Sequence, residues 1–408
     1  MAVTDMALRV GICGVGAFAR CFIPLFKAHP AVEQVILCDL DAEKLAARSA
    51  EFDIPDTCPS LDDLCDTDVD AIAIITQHWL HAPHAVQALE AGKHVYSAVP
   101  AAHSMEELEA LVTMVEQTGL VYMIGETSYY YPCAIYCRKR FEAGDFGRIV
   151  YAEGEYLHDW DHGLYDVAKW RGGERWLETA GGPPMYYPTH STSLIISVTG
   201  AYMTHVSCQG IPDVEDPHIY DPDVNIWGNV FSNESALFRM SDGSACRINE
   251  FRRVGHPGTV GMSMYGTLGS YEEQVDGQVW VTKDRSATVD LRELLACSGV
   301  PASEVTGEMS KVTSADGTHS GASRVHDLAR LPAEFIGLPN GHNGSHQFLV
   351  DDFIRACVTR SAPPNNIWQA ARYMVPGLVA HESAKREGQL LEIPDFGDVP
   401  ADWPRLEY

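Results

Sequence analysis

The order of apolar and polar residues divides the chain into two parts with different patterns. Between Leu8 and about Gly125, short apolar runs such as residues 70–75, 94–97 and 121–124 alternate with segments of helical periodicity. Strands that alternate with helices are typical of βαβ units, which build a parallel sheet. The pattern therefore predicts an α/β fold whose N-terminal domain is a doubly wound parallel sheet.

After Pro132 the pattern changes. One helix is predicted at about 133–143, a long strand at 148–158, and several strands between about 204 and 282. Short strands without intervening helices favour hairpin connections. This half is therefore predicted to be an α+β domain with a large, mostly antiparallel open sheet.

Two later segments complete the organisation. Residues 297–325 are rich in Ser, Thr and Gly and are predicted to form a mobile excursion. Helical periodicity returns from Ser345 to about Glu387, interrupted at Pro363 and Pro364. The predicted domains are residues 1–126 and 127–408, with the helical region 345–388 packing back toward the first domain.

The first apolar run ends in a glycine motif. Gly14, Gly16 and Ala19 form Gly-x-Gly-x-x-Ala, a helical pattern follows, and a second apolar run ends at Asp39. Gly14 allows a tight turn, Gly16 lets the backbone approach a pyrophosphate, and Ala19 allows close helix–strand packing. The following helix N-terminus offers unpaired N–H groups to phosphates. This order of elements predicts a Rossmann domain that binds a dinucleotide.

The cofactor is predicted to be NAD. Asp39 would accept hydrogen bonds from ribose hydroxyls and repel a 2′-phosphate, and Leu40 and Asp41 follow it without a nearby Arg or Lys. Ligands on such sheets bind beyond the carboxyl ends of the strands. The predicted cofactor-binding residues are Gly14, Gly16, Ala17, Phe18, Asp39, Thr76, His78, His81, Ala98, Val99, Pro100 and Thr127.

Composition excludes several partners. The formal net charge of −27 disfavours nucleic acid and an anionic membrane surface. No apolar run is long enough to span a membrane, and the N-terminal residues lack the pattern of a signal peptide, so a cytoplasmic location is expected. The 11 cysteines show no paired spacing, and no disulfides are expected.

The glycine motif, the segment Ala-Leu-Glu-Ala-Gly-Lys-His-Val at 88–95 and the strand-rich second half together resemble the glucose-fructose oxidoreductase/inositol dehydrogenase/MocA family. The resemblance covers nearly the whole chain. It implies a Rossmann domain joined to an open-sheet domain, and oxidation or reduction of a hydroxyl on a sugar or cyclitol. By the same analogy a homodimer or homotetramer is expected.

The chain departs from that family at the residue that serves the reacting hydroxyl. Most members have Glu-Lys-Pro where this chain has Ala98, Val99 and Pro100, and Val99 cannot exchange a proton. The family's acid-containing Asp-x-x-x-His motif is likewise replaced by a segment with Tyr187 before His190.

A narrower resemblance accounts for both changes. Val-Pro-Ala-Ala from Val99, Tyr-Leu-His-Asp from Tyr156, and Tyr-Pro-Thr-His from Tyr187 resemble the NAD-dependent glycosidase branch, typified by α-N-acetylgalactosaminidases. The branch usually has Glu where Ala98 stands and Gly where Ser191 stands, which leaves the sugar undefined. The resemblance implies that the catalytic residues are Tyr156, His158, Tyr187 and His190.

These residue types suit a redox-neutral cleavage. Oxidation of a sugar hydroxyl acidifies the adjacent C–H, so that elimination, hydration and reduction can follow without net use of NAD. Such a cycle needs groups that exchange protons near neutral pH. His190, helped by Tyr187, is assigned the hydroxyl proton; Tyr156 and His158 are assigned the adjacent carbon or the departing oxygen.

Three other clusters are candidates. Residues 158–162 could supply metal ligands, but metal sites usually recruit separate segments, and no metal is predicted. Trp170 and Arg171 fit a sugar-stacking lid or a subunit contact, and His342 and His346 fit a substrate-lining loop. These four residues are the predicted substrate-binding residues.

Two alternative functions remain open at this point. The first is an ordinary NAD-dependent sugar or cyclitol dehydrogenase whose proton acceptor has moved to His190. The second is a non-catalytic dinucleotide-binding sensor, which loss of the lysine favours. The Tyr and His residues at the expected strand ends argue against a sensor, because a sensor does not need proton-transfer groups.

Overall fold

The computed structural model describes residues 7–214, 218–297 and 321–408. The first sheet has six parallel strands in the order β3-β2-β1-β4-β5-β6. Its order reverses between β1 and β4, which is where ligands bind in such sheets. The strands are β1 Leu8–Cys13, β2 Val32–Cys38, β3 Thr57–Cys58, β4 Ala71–Ile74, β5 His94–Ser97 and β6 Tyr122–Ile124.

Helices connect these parallel strands, as the periodicity predicted. The helix after the glycine motif differs from expectation in one respect, because it opens as a 3-10 turn at Phe18–Cys21 before the α-helix begins. The helices are α1 Ile23–Ala28, α2 Ala42–Phe52, α3 Leu61–Cys65, α4 His81–Glu90 and α5 Met105–Thr118.

The second sheet has nine strands in the order β14-β13-β12-β11-β7-β10-β9-β8-β15. Neighbouring strands are antiparallel except for β7 and β10, which run parallel at its centre. The predicted mostly antiparallel sheet is confirmed. The strands are β7 Ile149–Leu157, β8 Met203–Pro212, β9 Phe231–Met240, β10 Ala245–Phe251, β11 Thr259–Gly266, β12 Gly269–Gln274, β13 Gly277–Thr282, β14 Val289–Asp290 and β15 Leu391–Glu392.

The remaining helices come after β6 in the sequence and include two long helices near the C-terminus. The predicted break at Pro363 and Pro364 falls between these two helices, whereas the predicted excursion at 297–325 lies mostly outside the described residues. The helices are α6 Pro132–Glu142, α7 Leu164–Gly172, α8 Trp176–Ala180, α9 Thr189–Thr199, α10 Arg292–Leu295, α11 His346–Thr359 and α12 Ile367–Lys385.

Helix α9 packs directly on the centre of the second sheet. A Cβ added to Gly154 of β7 would lie 2.5 Å from the carbonyl oxygen of Ser191, so only glycine lets the helix approach this closely. This contact brings the first turn of α9, with His190, next to the end of β7, where Tyr156 and His158 stand.

Helix α11 packs against the first sheet. The ring of Phe353 lies 5.7 Å from that of Tyr96 and 6.3 Å from that of Phe26, all three fully buried. This aromatic contact places His346, the first residue of α11, and His342, in the segment before it, next to the glycine motif after β1.

Candidate active site

The turn after β1 requires glycine. Gly14 has φ +90°, and a Cβ there would lie 2.5 Å from the carbonyl oxygen of Ile75, at the end of the neighbouring strand. The backbone therefore passes closely over the carboxyl edge of the sheet, as a dinucleotide-binding turn needs. Gly16, two residues further on, is the position at which the backbone is predicted to approach the pyrophosphate of the cofactor.

Asp39 lies beside this turn. Its Oδ2 accepts a hydrogen bond from the N–H of Val15 at 3.0 Å, and its Oδ1 accepts one from the N–H of Asp41 at 3.0 Å. The carboxylate is thereby held at the end of β2, where ribose hydroxyls of a bound dinucleotide are recognised.

The expectation that no cation stands near Asp39 is wrong. The Nζ of Lys44, in the first turn of α2, lies 3.7 Å from Asp39 Oδ1 and 3.4 Å from Asp41 Oδ2. Leu40 and Asp41 carry no positive charge, but the helix that follows turns Lys44 back toward the carboxylate. Lys44 lies close to Asp39 because of the turn of the helix, although it does not directly follow Asp39 in the sequence.

The loops after β4 and β5 meet through histidines. Nδ1 of His81 lies 2.8 Å from the carbonyl oxygen of Pro100, and its Nε2 lies 3.2 Å from that of Thr76. Nδ1 of His78 lies 2.7 Å from Nε2 of His103. His81 therefore ties the two loops together, and burial lowers its pKa to about 4.

Thr127 adds a polar group at the end of β6. Its side chain is buried, and its hydroxyl finds no hydrogen-bond partner within the described ranges. A buried hydroxyl without a partner at the carboxyl edge of a parallel sheet fits a cofactor contact. The glycine turn, Asp39 and this hydroxyl together fit a bound NAD.

His190 is paired with a buried carboxylate. Its Nδ1 lies 2.7 Å from Oε1 of Glu126, which is fully buried and also accepts the N–H of Ser128 at 2.8 Å. Burial alone would lower the pKa of His190, but the Glu126 carboxylate outweighs it and the pKa is raised. The geometry leaves Nε2 as the nitrogen that can act on a substrate.

Three of the predicted catalytic rings surround one point. The ring of His190 lies 5.4 Å from that of Tyr156 and 5.5 Å from that of Tyr187. The hydroxyl of Tyr187 lies 3.5 Å from the carbonyl oxygen of Val99, on the loop after β5. Tyr187 therefore connects the histidine to the loop where the family's lysine would stand.

The fourth predicted residue, His158, is bonded to Tyr156. Its Nδ1 lies 2.7 Å from the Tyr156 hydroxyl, and its Nε2 lies 3.4 Å from the carbonyl oxygen of His162. Burial, and secondarily the positive charge of Arg252, lowers the pKa of His158 to about 4. His158 is thus neutral near pH 7, with Nδ1 placed to accept the phenol proton of Tyr156.

Behind these pairs lies a buried ion pair between Glu250 of β10 and Arg252, which directly follows that strand. Glu250 Oε1 accepts the hydroxyl of Ser191 at 2.5 Å, and its Oε2 lies 3.0 Å from Nη2 of Arg252. The guanidinium carbon of Arg252 lies 4.6 Å from the ring centre of Tyr156. Burial raises the pKa of Glu250 to about 7.

His342 and His346 meet at the cofactor side of the site. Nε2 of His346 lies 2.8 Å from Nδ1 of His342, and the ring of Phe18 lies 5.6 Å and 5.9 Å from the two imidazoles. Burial lowers the pKa of His342 to about 3, with the charge of His190 as a further cause. The pair therefore lies between the glycine motif and His190.

Trp170 and Arg171 approach the cofactor side from α7. A Cβ added to Gly16 would lie 3.4 Å from Cη2 of Trp170. The charge of Arg171 contributes, after burial, to the lowered pKa of His78 and of His81. Both side chains are largely exposed, and Trp170 lies over the turn that follows β1.

Sequence reasoning missed Glu126, Glu250 and Arg252. Glu126 lies two residues after the end of β6, next to Thr127, which the sequence predicted to be a cofactor-binding residue. Glu250 takes the next position on the apolar face of β10 after Cys246 and Ile248. The signal in the sequence was a carboxylate at a position where the strand pattern predicts a buried apolar residue, since such a conflict often marks a functional site. Within the described residues, no group of three or more His, Cys, Asp or Glu side chains is arranged to hold a metal ion.

Comparison with known proteins identifies the class. Residues 8–126 match the oxidoreductase family with an NAD-binding Rossmann fold. Together with the buried Tyr and His groups, this defines an NAD-dependent enzyme. The first domain matches that family, and the family resemblance inferred from the sequence is confirmed.

Curated relatives include glycosidases. A glycosyl hydrolase family 109 protein of Streptomyces niveus is 24% identical over 411 residues, covering 95% of this chain and 77% of that protein. An alpha-N-acetylgalactosaminidase of Bacteroides fragilis is 30% identical over 208 residues, covering 47% of this chain and 48% of that protein.

Solved structures with a similar fold include dehydrogenases. A levoglucosan dehydrogenase in complex with NADH and levoglucosan has a TM-score of 0.73 at 19% identity, covering 95% of this chain and 100% of that chain. The myo-inositol 2-dehydrogenase of Lactobacillus plantarum has a TM-score of 0.67 at 19% identity, with the same coverage. These likenesses establish the fold.

In the described part of the chain, none of the helices has the length and apolar character needed to cross a bilayer.

Proposed function

We propose that this enzyme cleaves a glycosidic bond without net consumption of NAD. The observation that carries the proposal is the presence of two separate proton-handling groups around one point. His190 is paired with Glu126, whereas Tyr156 is paired with His158. A simple dehydrogenation needs one proton acceptor, and the elimination that cleaves a glycoside needs a second.

His190 acts on the sugar hydroxyl in this proposal. Bound NAD supplies the oxidising and later reducing equivalent for the sugar carbon. Nε2 of His190 accepts the hydroxyl proton, and Glu126 at Nδ1 holds the imidazole orientation and stabilises the resulting imidazolium. Because Glu126 raises the pKa of His190, the imidazolium can return that proton when the ketone is reduced.

Tyr156 acts on the adjacent carbon. Its hydroxyl donates to Nδ1 of neutral His158, and the guanidinium of Arg252 lies over its ring. The positive charge of Arg252 stabilises the phenolate form of Tyr156, and a phenolate can remove the C–H proton made acidic by the neighbouring ketone. The phenol formed in this way gives that proton to the departing glycosidic oxygen as the aglycone leaves. During hydration Tyr156 takes a proton from the attacking water and returns it to the carbon. Tyr187, between His190 and the carbonyl of Val99, orients the sugar hydroxyl.

The second candidate is an NAD-dependent sugar dehydrogenase. It is favoured by the structural likeness to levoglucosan and inositol dehydrogenases, in which one proton acceptor is enough for the chemistry. In that case the His190–Glu126 pair would do all the proton transfer, and Tyr156 would only bind the sugar.

Turnover of nitrophenyl glycosides in deuterated water separates the two candidates. Cleavage predicts release of nitrophenol, deuterium on the carbon next to the oxidised one, and continued turnover on enzyme-bound cofactor alone. Accumulation of NADH in proportion to product, with no aglycone released across a panel of α- and β-glycosides, would establish the dehydrogenase instead.

A further inference from the structure

Two buried glutamates stand side by side on the central strands of the second sheet. Glu234 of β9 and Glu250 of β10 are paired in register, and both are fully buried. Glu234 accepts the N–H of Met185 at 2.8 Å and lies 2.8 Å from Nδ1 of His381. It therefore fixes the backbone that leads into Tyr187.

Glu250 has different partners. It accepts the hydroxyl of Ser191, the residue after His190, and forms an ion pair with Arg252. Arg252 in turn donates from Nη1 to the carbonyl oxygens of Tyr156 and Phe251 at 3.3 and 3.1 Å. One ion pair therefore contacts the backbone and ring of Tyr156 and the side chain of the residue that follows His190.

The charged surroundings of Glu250 come from several elements. His190 on α9 lies near enough to interact with its charge, and Arg252 directly follows its own strand, β10. Tyr156 stands on β7 and His158 directly follows that strand, and the Glu234–His381 pair joins β9 to α12. A proton gained by Glu250 leaves the charge of Arg252 without compensation. That change disfavours a proton on His190 and favours a phenolate at Tyr156.

We propose that Glu250 and Arg252 are positioning residues that couple the proton occupancy of His190 to that of Tyr156. This inference rests on the proposed function, because it assigns a role to the two groups that the cleavage cycle uses. While Glu250 is ionised, its charge favours a proton on His190 and offsets the effect of Arg252 on Tyr156. When Glu250 takes up one proton from solvent, loss of a proton from both groups becomes more favourable, and both can then act as bases.

The coupling is visible in a titration that needs no turnover. Holoenzyme with ¹⁵N-labelled histidine is titrated by NMR, and the His190 resonance is assigned by its loss in His190→Ala. We expect a two-step curve, with one inflection near pH 7 where burial has placed the pKa of Glu250. In Glu250→Gln the curve becomes a single step whose midpoint falls by about half a pH unit or more.

Glu234→Gln is the matched control, because it neutralises a carboxylate that is equally buried at the paired position. It is expected to keep the two-step curve with its midpoints unchanged. An equal shift in both variants, or an unshifted midpoint in Glu250→Gln, would overturn the coupling. If Glu250→Gln does not fold, a single-step curve in the unmodified enzyme overturns it equally.

Arg252→Gln tests the other end of the pair. The tyrosinate absorbance that disappears in Tyr156→Phe should develop at higher pH in Arg252→Gln than in the unmodified holoenzyme. Development at the same pH would remove Arg252 from the proposal. Neither titration depends on glycoside cleavage. A negative result in the turnover experiment with nitrophenyl glycosides would therefore refute the proposed function without bearing on the coupling, and the two failures are distinguishable.

Discussion

His190 and His158 are both buried, and both stand within 6 Å of the same phenol ring, yet their surroundings drive their pKa values in opposite directions. His190 has the carboxylate of Glu126 at one nitrogen, which raises its pKa despite burial. His158 has a phenol and a carbonyl oxygen as partners, and burial lowers its pKa to about 4. The comparison shows that burial alone does not determine the proton state of a histidine, because the nearest charge can reverse its effect.

The difference divides the work between the two pairs. The pKa of His190 is raised by Glu126, so in the proposed cycle His190 takes and returns a proton itself. His158, with its pKa lowered to about 4, is neutral near pH 7 and serves as the hydrogen-bond acceptor of Tyr156. The following predictions test this division.

The largest effect is expected for His190→Ala. Loss of a general acid–base group typically lowers the rate about a hundredfold to ten-thousandfold, and cofactor binding should remain intact. Measurement of turnover and of NADH binding on the same preparation checks both. Val99→Lys should not restore activity in this variant, because a lysine there would have to place its ammonium in a partly buried pocket. More than a tenth of normal activity remaining would move the role away from His190.

Tyr156→Phe is expected to reduce aglycone release by about a hundredfold. Reduction of bound cofactor in a single turnover should be nearly unchanged, because His190 still accepts the hydroxyl proton. Rapid-mixing absorbance records the reduction, and mass spectrometry records deuterium uptake from the solvent. His158→Gln is the matched control, since Gln can still accept the phenol hydrogen bond, and its loss should be smaller. Equal loss of cofactor reduction and release would contradict the division.

Glu126→Gln should change pH dependence more than maximal rate. His190 must be neutral to accept a proton, so activity rises as pH passes above its pKa. Removing the carboxylate lowers that pKa, and the acidic limb of the kcat/KM profile should move to lower pH, with about a tenfold loss in kcat from weaker imidazolium stabilisation. A limb that stays in place would show that another group controls the profile.

The smallest effect concerns the cofactor end. Asp39 should make NAD bind more tightly than NADP, because its carboxylate repels a 2′-phosphate. Lys44, 3.7 Å from Asp39, offsets part of that repulsion. Lys44→Ala should therefore weaken NADP binding further and alter NAD binding by less than about threefold, as expected for a partly exposed charge. Calorimetric titration with both cofactors measures the ratio, and comparable affinities in the unmodified enzyme would refute NAD preference.

The fold could be predicted from the sequence because its signals are local. Alternating apolar runs and helical segments indicated the parallel sheet, and closely spaced strands indicated the antiparallel one. The parallel pairing of β7 with β10 could not be predicted, because these strands are separated by about ninety residues and no local pattern specifies their register.

The site was predictable only in part for the same reason. Tyr156, His158, Tyr187 and His190 were found through motif resemblance, and the structure brings their rings together. Glu126, which raises the pKa of His190, follows a strand of the first sheet, whereas His190 stands on the helix that packs on the second. Arg252 reaches the ring of Tyr156 because β7 pairs with β10. Roles that depend on contacts between distant segments need the structure.

The position of Trp170 over the glycine turn has a practical consequence. Its indole lies beside Gly16, where the cofactor's pyrophosphate is expected, and indole emission overlaps the absorption band of reduced nicotinamide. Excitation of this side chain should therefore transfer energy to bound NADH, and the signal should vanish when the dinucleotide dissociates. The protein thus contains its own optical reporter of how long a cofactor stays bound. That residence time separates an enzyme that recycles one bound cofactor from an enzyme that exchanges it at every turnover.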